Sequence, residues 1–411
     1  MIPMTCRFCG EGLTTKFITL NAQPPANKYL TAAELKEPES KFPLTTYVCG
    51  NCLLVQLAEE KQAAEIFKAD YAYYSAYSAS WVEHARLFVE MSIDRFQLGR
   101  NSFVVEIASN DGYLLQHFVQ RGIPCLGVDP AAEAAEDAAD RGVETIIDFF
   151  NRDLAGKLAR DRGRADLLVG NNVLAHVPEL NDFVSGIRAL LKPQGIVAME
   201  FPHILRFIEN VQFDTIYDEH FSYFSFHVVR RIFAEHGLTL FDVEELGTHG
   251  GSIRIFGAPA DGLQLEISPA VARLLDAERE AGLDQLSGYL GLQDKVDEIC
   301  GQFLKFMKEQ LDAGKSIAAF GAAAKGNTFL NACGVSAGQI SYVVDDTPAK
   351  QGKYLPQSHI PVVKEDRIRE TEPDFIIILP WNVRDDILDK LEYARDWGCQ
   401  FVTCIPKLQI H

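Results

Sequence analysis

With 411 residues, the chain is long enough for two or three domains, each with its own core. Its formal net charge of −18 argues against a nucleic-acid partner, because neutralising phosphates requires a basic surface. We expect a cytoplasmic protein without a membrane partner, since no stretch reaches the ~20 apolar residues of a spanning helix and residues 1–6 do not resemble a secretion signal.

Two Cys-x-x-Cys motifs near the start of the chain form its sharpest local signal: Cys6, Cys9, Cys49 and Cys52. Four thiolates close the tetrahedral shell of Zn²⁺ and leave no position for a substrate, so we predict a structural zinc ion in a module spanning residues 1–69. A pair of redox dithiols is the alternative, although neither flank resembles the start of a thioredoxin-like helix. The extended, polar segment 24–29 between the motifs is expected at the edge of a binding cleft.

A tyrosine-rich segment, 70–81, follows this module and leads into a helix that reaches about Arg95. Tyrosines supply both stacking surface and hydroxyl donors. The segment is therefore expected either to wall a sugar or adenosine pocket or to clamp two domains together.

Strand and helix patterns then alternate, which predicts a doubly wound, parallel α/β sheet within a central domain, 70–262. The predicted strands lie at 103–107, 124–129, 143–148, 165–171 and 195–201. Two more strands, near 238–245 and 252–257, are joined by a connection too short for a crossover helix, so we expect them to pair antiparallel. Such a sheet departs from the dinucleotide-binding arrangement and resembles the Rossmann-like sheet of class I methyltransferases.

The first strand of this sheet predicts a nucleotide site, because it ends at Glu106 and turns through Ser109 and Asn110 to Gly112. Asp129, at the end of the second strand, is placed to accept both hydroxyls of a ribose. The turn keeps only one of three usual glycines, and a carboxylate beside it suits a cationic ligand such as S-adenosylmethionine better than a pyrophosphate. An ordinary strand-to-helix turn is the alternative for this motif taken alone.

Further residues at strand ends support the same ligand, since ligands of open α/β sheets bind outside the carboxyl ends of the strands. Asp148 can accept the adenine amino group and Phe149 can cover the base. Asn171, after the fourth strand, can hold the amino-acid end. We therefore predict S-adenosylmethionine as the cofactor.

The segment 216–225 concentrates candidate catalytic side chains, namely Tyr217, Glu219, His220 and Tyr223. A histidine with a pKa near neutrality is the natural base for removing a proton next to a carbonyl, and a flanking tyrosine or a second histidine, His176, can hydrogen-bond the enolate oxygen. Ordinary surface or core histidines are the alternative.

The last third of the chain, 263–411, is predicted as a helical connector, from about 269 to 313, followed by a Rossmann-like α/β domain. Its first loop lacks the middle glycine of a dinucleotide fingerprint, which argues against bound NAD. Three lysines around the loop ends are expected either to bind a diphosphate or to be solvated: Lys325, Lys350 and Lys353.

Taken in order, these motifs resemble the zinc-containing sugar C-methyltransferases of bacterial deoxysugar pathways, of the tetronitrose C-3 methyltransferase type. The sequences that carry the resemblance are the paired cysteine motifs, the tyrosine-rich lead, Glu-Ile-Ala-Ser-Asn-Asp-Gly, Asn-Val-Leu-Ala-His-Val and Tyr-Asp-Glu-His-Phe-Ser-Tyr. The resemblance covers nearly the whole chain. It implies three domains, a monomer, and a nucleotide-linked 4-keto-deoxysugar substrate, with dTDP as the expected nucleotide.

The resemblance also implies roles for individual residues. The histidine matching His220 removes the proton at C-3, and the resulting enolate takes the methyl group. Tyr217, Glu219 and His176 match other polar residues around the sugar, and Tyr71 matches an upstream tyrosine. Further substrate contacts are expected from three residues: Tyr223, Lys325 and Lys353.

Two other functions stay open from the sequence. An NAD(P)-dependent sugar-nucleotide oxidoreductase would use the C-terminal domain for its cofactor. A non-catalytic zinc adaptor on a methyltransferase scaffold would explain the cysteines but leaves His220, Glu219 and Tyr217 without a purpose.

Overall fold

The computed structural model describes residues 4–57, 74–263 and 265–411, which contain three β-sheets of four, seven and six strands. Tyr71 lies outside the described residues, as does the predicted junction between residues 69 and 70. Within the described ranges, no helix combines the length and the apolar character that crossing a bilayer requires.

The strands are β1 (Thr15–Gln23), β2 (Phe42–Val48), β3 (Val55–Leu57), β4 (Val104–Ile107), β5 (Cys125–Val128), β6 (Thr145–Ile146), β7 (Ala165–Asn171), β8 (Leu191–Pro202), β9 (Ser222–Tyr223), β10 (Leu238–Leu246), β11 (Ser252–Pro259), β12 (Ile317–Phe320), β13 (Val343–Val344), β14 (Val362–Val363), β15 (Phe375–Ile378), β16 (Gln400–Thr403) and β17 (Gln409–Ile410). The α-helices are α1 (Ala79–Phe96), α2 (Leu115–Gln120), α3 (Ala132–Asp140), α4 (Arg152–Asp161), α5 (Leu180–Leu190), α6 (Ile204–Glu209), α7 (Phe226–Glu235), α8 (Pro269–Glu280), α9 (Leu292–Asp312), α10 (Ala324–Cys333), α11 (Asp366–Thr371) and α12 (Arg384–Lys390).

The seven-stranded sheet has the order β10-β11-β8-β7-β4-β5-β6. Strands β8, β7, β4, β5 and β6 are parallel, and their central members are buried on both faces, as near-continuous apolar runs predict. The predicted antiparallel pairing of β10 with β11 is confirmed. The antiparallel strand β11 lies inside the sheet, between β8 and β10, and not at its edge.

Strand β6 is shorter than the predicted 143–148, because it pairs on one side only and both of its residues are partly exposed. The six-stranded sheet has the order β14-β13-β12-β15-β16-β17, parallel except for β17. Helices α8 and α9 form the predicted connector before it.

The four-stranded antiparallel sheet joins the N-terminal module to the rest of the protein. Its order is β1-β2-β3-β9, and β9 comes from the segment that directly follows His220. Val55 faces Tyr223 and Gln56 faces Ser222 in this pairing. The N-terminal module is thus hydrogen-bonded to the backbone beside the predicted catalytic histidine, and one continuous cluster of buried apolar side chains runs through all three sheets.

Candidate active site

A single large cleft of about 1330 Å³ brings together the N-terminal segment 24–29, the carboxyl ends of strands β4, β5 and β7, and the start of α10. Pockets for one small molecule usually measure about 300–1,000 Å³. The cleft therefore has room for two ligands side by side. The predicted position of segment 24–29 at its edge is found in the structure.

The four cysteines of the N-terminal motifs converge, and all four sulfur atoms lie within 4.8 Å of one another. The Sγ atoms of Cys6 and Cys52 are 3.5 Å apart, as are those of Cys9 and Cys49. A tetrahedral zinc shell with Zn–S bonds of ~2.3 Å needs sulfurs roughly 3.8 Å apart, so the donor set fits the ion. Gln56 Nε2 donates to Cys6 Sγ at 3.2 Å and orients that ligand.

The turn after β4 adopts positive φ angles largely without glycine. Ala108 and Asn110 line the cleft with φ of +58° and +49°, in the left-handed region that asparagine tolerates and alanine adopts at a cost. Gly112 has φ of +77°, and an added Cβ would lie 3.2 Å from the Cα of Ala138. Gly112 is therefore needed for packing against α3 behind the turn, and not for contact inside the cleft.

Asp129 occupies the position that the sequence predicted for a ribose. It lines the cleft, and its two carboxylate oxygens accept the backbone N–H groups of Asn110 at 2.9 Å and Ala131 at 2.8 Å. Each oxygen has a second lone pair, so the fixed carboxylate can also accept the two hydroxyls of a ribose. These residues fit an adenosyl ligand.

Glu106 and Ser109 lie behind the wall of the cleft. Ile107 lines the cleft, whereas Glu106, the residue before it in the strand, is fully buried and does not line the cleft. Burial, followed by the charges of Asp129 and Asp111, raises the pKa of Glu106 well above its ordinary value. A direct contact of this carboxylate with the ligand stays a prediction, and in the structure the carboxylate is buried near Asp129.

Asp148 and Phe149, which the sequence predicts at the adenine end of the site, both line the cleft, and Phe149 is 36% exposed. Asn171 lines it too, and its Nδ2 donates to the hydroxyl of Tyr113 at 3.2 Å.

His220 lies in the cleft with a defined tautomer. Its Nδ1 donates to the carbonyl oxygen of Thr215 at 2.8 Å, so Nδ1 carries the proton and Nε2 carries a lone pair. The hydroxyl of Tyr217 donates to that Nε2 at 2.9 Å. Burial, with further contributions from His176 and other nearby groups, lowers the pKa of His220 well below its ordinary value. The side chain is therefore neutral at pH 7, although its pKa is not near neutrality as the sequence reasoning assumed.

The other polar residues of the 216–225 segment are divided between the cleft and the layer behind it. His176 lines the cleft with its ring 4.7 Å from that of His220, and burial lowers its pKa to about 4. Glu219 also lines the cleft and accepts Asn27 Nδ2 at 2.8 Å. Tyr223 lies behind His220, where its hydroxyl donates to the Thr215 carbonyl at 3.3 Å.

The three lysines of the C-terminal domain are not equivalent. Lys325 and Lys350 line the cleft, whereas Lys353 is not among the described residues that do so. Lys350 Nζ donates to the carbonyl of Ala322 at 2.8 Å and pairs with Asp345 at 3.3 Å. Lys325 lies nearer the histidines, and its Nζ donates to the carbonyl of His249 at 3.4 Å.

His249 is a cleft residue that the sequence reasoning missed. It has φ of +54°, accepts Asn172 Nδ2 at 3.0 Å and packs its ring 5.1 Å from that of Trp81. Burial lowers its pKa to about 4. A signal was present, because the glycine-flanked histidine connects β10 to β11, and β10 runs in the same direction as β8 and ends at the same edge of the sheet.

Comparison with known proteins finds three family models in succession along the chain. They are a zinc binding domain over residues 6–67, a methyltransferase domain over 81–243 and a C-methyltransferase C-terminal domain over 247–406. The chain is similar to the C-methyltransferase NovU of Streptomyces niveus, with 35% identity over 98% of this chain and 96% of that protein.

Shorter similarities cover part of the chain. A ubiquinone biosynthesis O-methyltransferase of Rhodopseudomonas palustris is 30% identical over 23% of this chain and 38% of its own length. Among solved structures, the PH0226 protein of Pyrococcus horikoshii matches with 16% identity and a TM-score of 0.39, over 47% of this chain and 98% of that one. A score this low carries no argument about function.

Proposed function

Because the chain belongs to a family of C-methyltransferases, we propose that it methylates a nucleotide-linked 4-keto-deoxysugar at C-3, with dTDP as the nucleotide. Membership confirms the predicted architecture of a zinc-binding module, a class I methyltransferase domain and a further α/β domain. It also confirms S-adenosylmethionine and zinc as the cofactors. The sugar, the methylated carbon, the monomeric state and the roles of single residues belong to the proposal.

The observation that carries the proposal is the position of a neutral histidine in the same cleft as the adenosyl site. His220 has an unprotonated Nε2, which accepts the Tyr217 hydroxyl at 2.9 Å, and Asp129 presents a fixed carboxylate. A C-methyltransferase must make a carbon nucleophilic before it can be methylated. A base that is uncharged at pH 7 and close to the methyl donor supplies that need.

In this mechanism the Tyr217 hydroxyl turns from Nε2 of His220 toward the sugar, and Nε2 removes the proton at C-3. The electron pair of the C–H bond becomes the enolate of the neighbouring 4-ketone. The bond from Nδ1 to the Thr215 carbonyl fixes the ring and stabilises the imidazolium that forms. S-adenosylmethionine supplies the methyl group, whose bonding pair stays on sulfur as the new C–C bond forms. The proton then leaves His220 to solvent.

The neighbouring polar groups bind and orient the sugar. Tyr217 and His176 are uncharged donors beside the ring of His220, and either one can hydrogen-bond the ketone oxygen. Glu219, steadied by Asn27 of the N-terminal module, binds a sugar hydroxyl or amine. Tyr223 acts from behind, since it shares the Thr215 carbonyl with His220. Contacts of Tyr71 and Lys353 with the substrate stay sequence-based predictions.

The zinc site has a structural and not a catalytic role, because four sulfur ligands fill its coordination shell. Asp129, Asn110, Asp148, Phe149 and Asn171 are the residues that would hold the adenosyl group. None of them carries a proton to or from the sugar.

Incubation with methyl-labelled S-adenosylmethionine and a panel of nucleotide-linked 4-keto-deoxysugars tests the proposal. The matched control is each sugar with a hydroxyl in place of the ketone, which cannot form an enolate. We expect label only on ketosugars and, by NMR, on C-3. Label on C-5 would correct the position, and equal transfer to the 4-hydroxy sugars would refute enolate chemistry. Ketosugar-dependent oxidation of reduced nicotinamide would favour an oxidoreductase instead.

A further inference from the structure

Lys325 reaches the cleft from the C-terminal domain, beside the loop of His249. It is the second residue of α10, and its Nζ donates to the backbone carbonyl of His249 at 3.4 Å. The ammonium group lies 5.6 Å from the centre of the Trp381 ring. A long contact to one carbonyl satisfies only one of the three N–H donors of a lysine. Two donors are therefore left for a ligand in the cleft.

The charge of Lys325 acts inside the catalytic pocket. Besides the dominant effect of burial, its positive charge contributes to lowering the pKa of both His220 and His249. Burial also lowers the pKa of Lys325 itself, while Asp214 opposes that shift. The lysine thus lies within electrostatic reach of the proposed base.

No carboxylate among the described residues forms an ion pair with Lys325. The buried carboxylate of Asp214 is near enough to influence it, yet its Oδ2 accepts Trp381 Nε1 at 2.8 Å instead. Lys350 offers a contrast within the same domain, because it is already paired with Asp345 at 3.3 Å. A partly buried cation that has no paired anion can stabilise negative charge that develops on a substrate in the same pocket.

We propose that the ammonium group of Lys325 donates a hydrogen bond to the ketone oxygen of the sugar and stabilises the enolate formed there. This inference rests on the proposed function and adds a catalytic residue to it. The C–H pair moves toward the ketone oxygen, the proton goes to His220 Nε2, and Lys325 keeps all of its protons. The weakness of a buried, low-pKa histidine as a base is offset by stabilising the product of its reaction.

This role differs from the diphosphate contact that the sequence predicted for Lys325. A diphosphate carries its charge away from the sugar ring, whereas Lys325 lies against the loop of His249 in the pocket of His220. Loss of one donor to an oxyanion typically costs about 10²–10³ in kcat. Loss of a diphosphate contact would instead weaken nucleotide binding and leave the chemical step largely intact.

Lys325→Met tests the proposal in the full-length, zinc-loaded enzyme, and Lys325→Gln is a second neutral variant. Lys364→Met is the matched control, because Lys364 is an exposed lysine of the same domain. The measurements are methyl transfer, solvent deuterium exchange at C-3 with S-adenosylhomocysteine bound, melting temperature, and calorimetric binding of S-adenosylmethionine and of dTDP. We expect exchange and transfer to fall together by about 10²–10³ while both affinities stay at wild-type values. Lys325→Arg, which keeps the charge, should recover part of both rates.

Three results would overturn the role of Lys325. One is a dTDP affinity that drops by about tenfold or more with a nearly normal kcat, which marks a diphosphate contact. Another is wild-type exchange in both neutral variants. The third is a borohydride-trapped adduct of the ketosugar on Lys325, which marks an imine and not a hydrogen bond. If the wild-type enzyme shows neither exchange nor transfer with any ketosugar, the proposed function itself fails.

Discussion

Arg7 connects the zinc-binding module to the segment that carries His220, and its removal should lower the rate without affecting the cofactor. It lies between two zinc ligands in the sequence, and its guanidinium donates to the carbonyl of Phe221 and, at 3.3 Å, to the hydroxyl of Ser222. It also lies 5.5 Å from the Phe221 ring. Hydrogen bonds to charged groups contribute about 1.5–3 kcal/mol each, so these two anchor the segment by roughly 3–6 kcal/mol.

Arg7→Met removes these bonds but keeps the apolar stem and the β3–β9 pairing. The segment should then shift by a fraction of a residue spacing, and a displacement of about 1 Å at a reacting group can cost roughly 100-fold. We therefore expect kcat for methyl transfer to fall about 10- to 100-fold. The adenosyl site lies on the ends of β4, β5 and β7, so calorimetric affinity for S-adenosylmethionine should stay unchanged.

Arg231→Met is the matched control, because Arg231 is an exposed arginine whose guanidinium donates to the carbonyl of Asn51 in the second cysteine motif. Both variants must hold one zinc per chain by atomic emission. Wild-type kcat in a zinc-loaded Arg7→Met enzyme would refute the reasoning. So would an equal loss of rate in the Arg231 variant.

Three further predictions follow from the site. Asp129→Ala should weaken S-adenosylmethionine binding by about 10²-fold or more, by calorimetry. The ribose hydroxyls lose two hydrogen bonds to the charged carboxylate that backbone N–H groups hold in place. Unchanged affinity would place the ribose elsewhere. If Nε2 of His220 takes the proton directly, Tyr217→Phe should keep the rate of deuterium exchange at C-3 within about tenfold of wild type, because one hydrogen bond is worth about 1 kcal/mol. Loss of exchange in this variant would make the tyrosine hydroxyl a proton relay. His176 and His249 have pKa values of about 4 when folded and an ordinary value of 6.5, so the unfolded chain binds more protons between those limits. Melting temperature should therefore fall as the pH is lowered from 6.5 toward 4, and a flat profile would contradict their burial in the neutral form.

Local spacing made the zinc site predictable from the sequence. Two Cys-x-x-Cys motifs each fix a pair of sulfurs, and only their mutual approach depends on the fold. Asp129 was predictable for a similar reason, because a residue just past a buried parallel strand must lie at the carboxyl edge of the sheet. The antiparallel pairing of β10 and β11 followed from the length of their connection.

Side-chain direction and contacts between domains were not predictable in the same way. Glu106 was expected at the ligand and is instead fully buried and absent from the lining of the cleft, since a strand pattern does not fix how deep a side chain lies. His249 enters the cleft through a left-handed backbone conformation, and the only sequence signal for it was its glycine-rich position at the end of β10. Lys325 depends on how a separate sheet packs against the first, which no local pattern in the sequence encodes.

Solvent deuterium exchange at C-3 of the ketosugar, with S-adenosylhomocysteine bound, tests most directly whether His220 generates an enolate. His220→Asn cannot accept the proton, and general-base catalysis typically contributes about 10²–10⁴ in rate. We predict rapid exchange in the wild-type enzyme and a loss of that size in the variant, with wild-type calorimetric affinity for S-adenosylmethionine. Exchange at the wild-type rate in His220→Asn would contradict the assignment of the base.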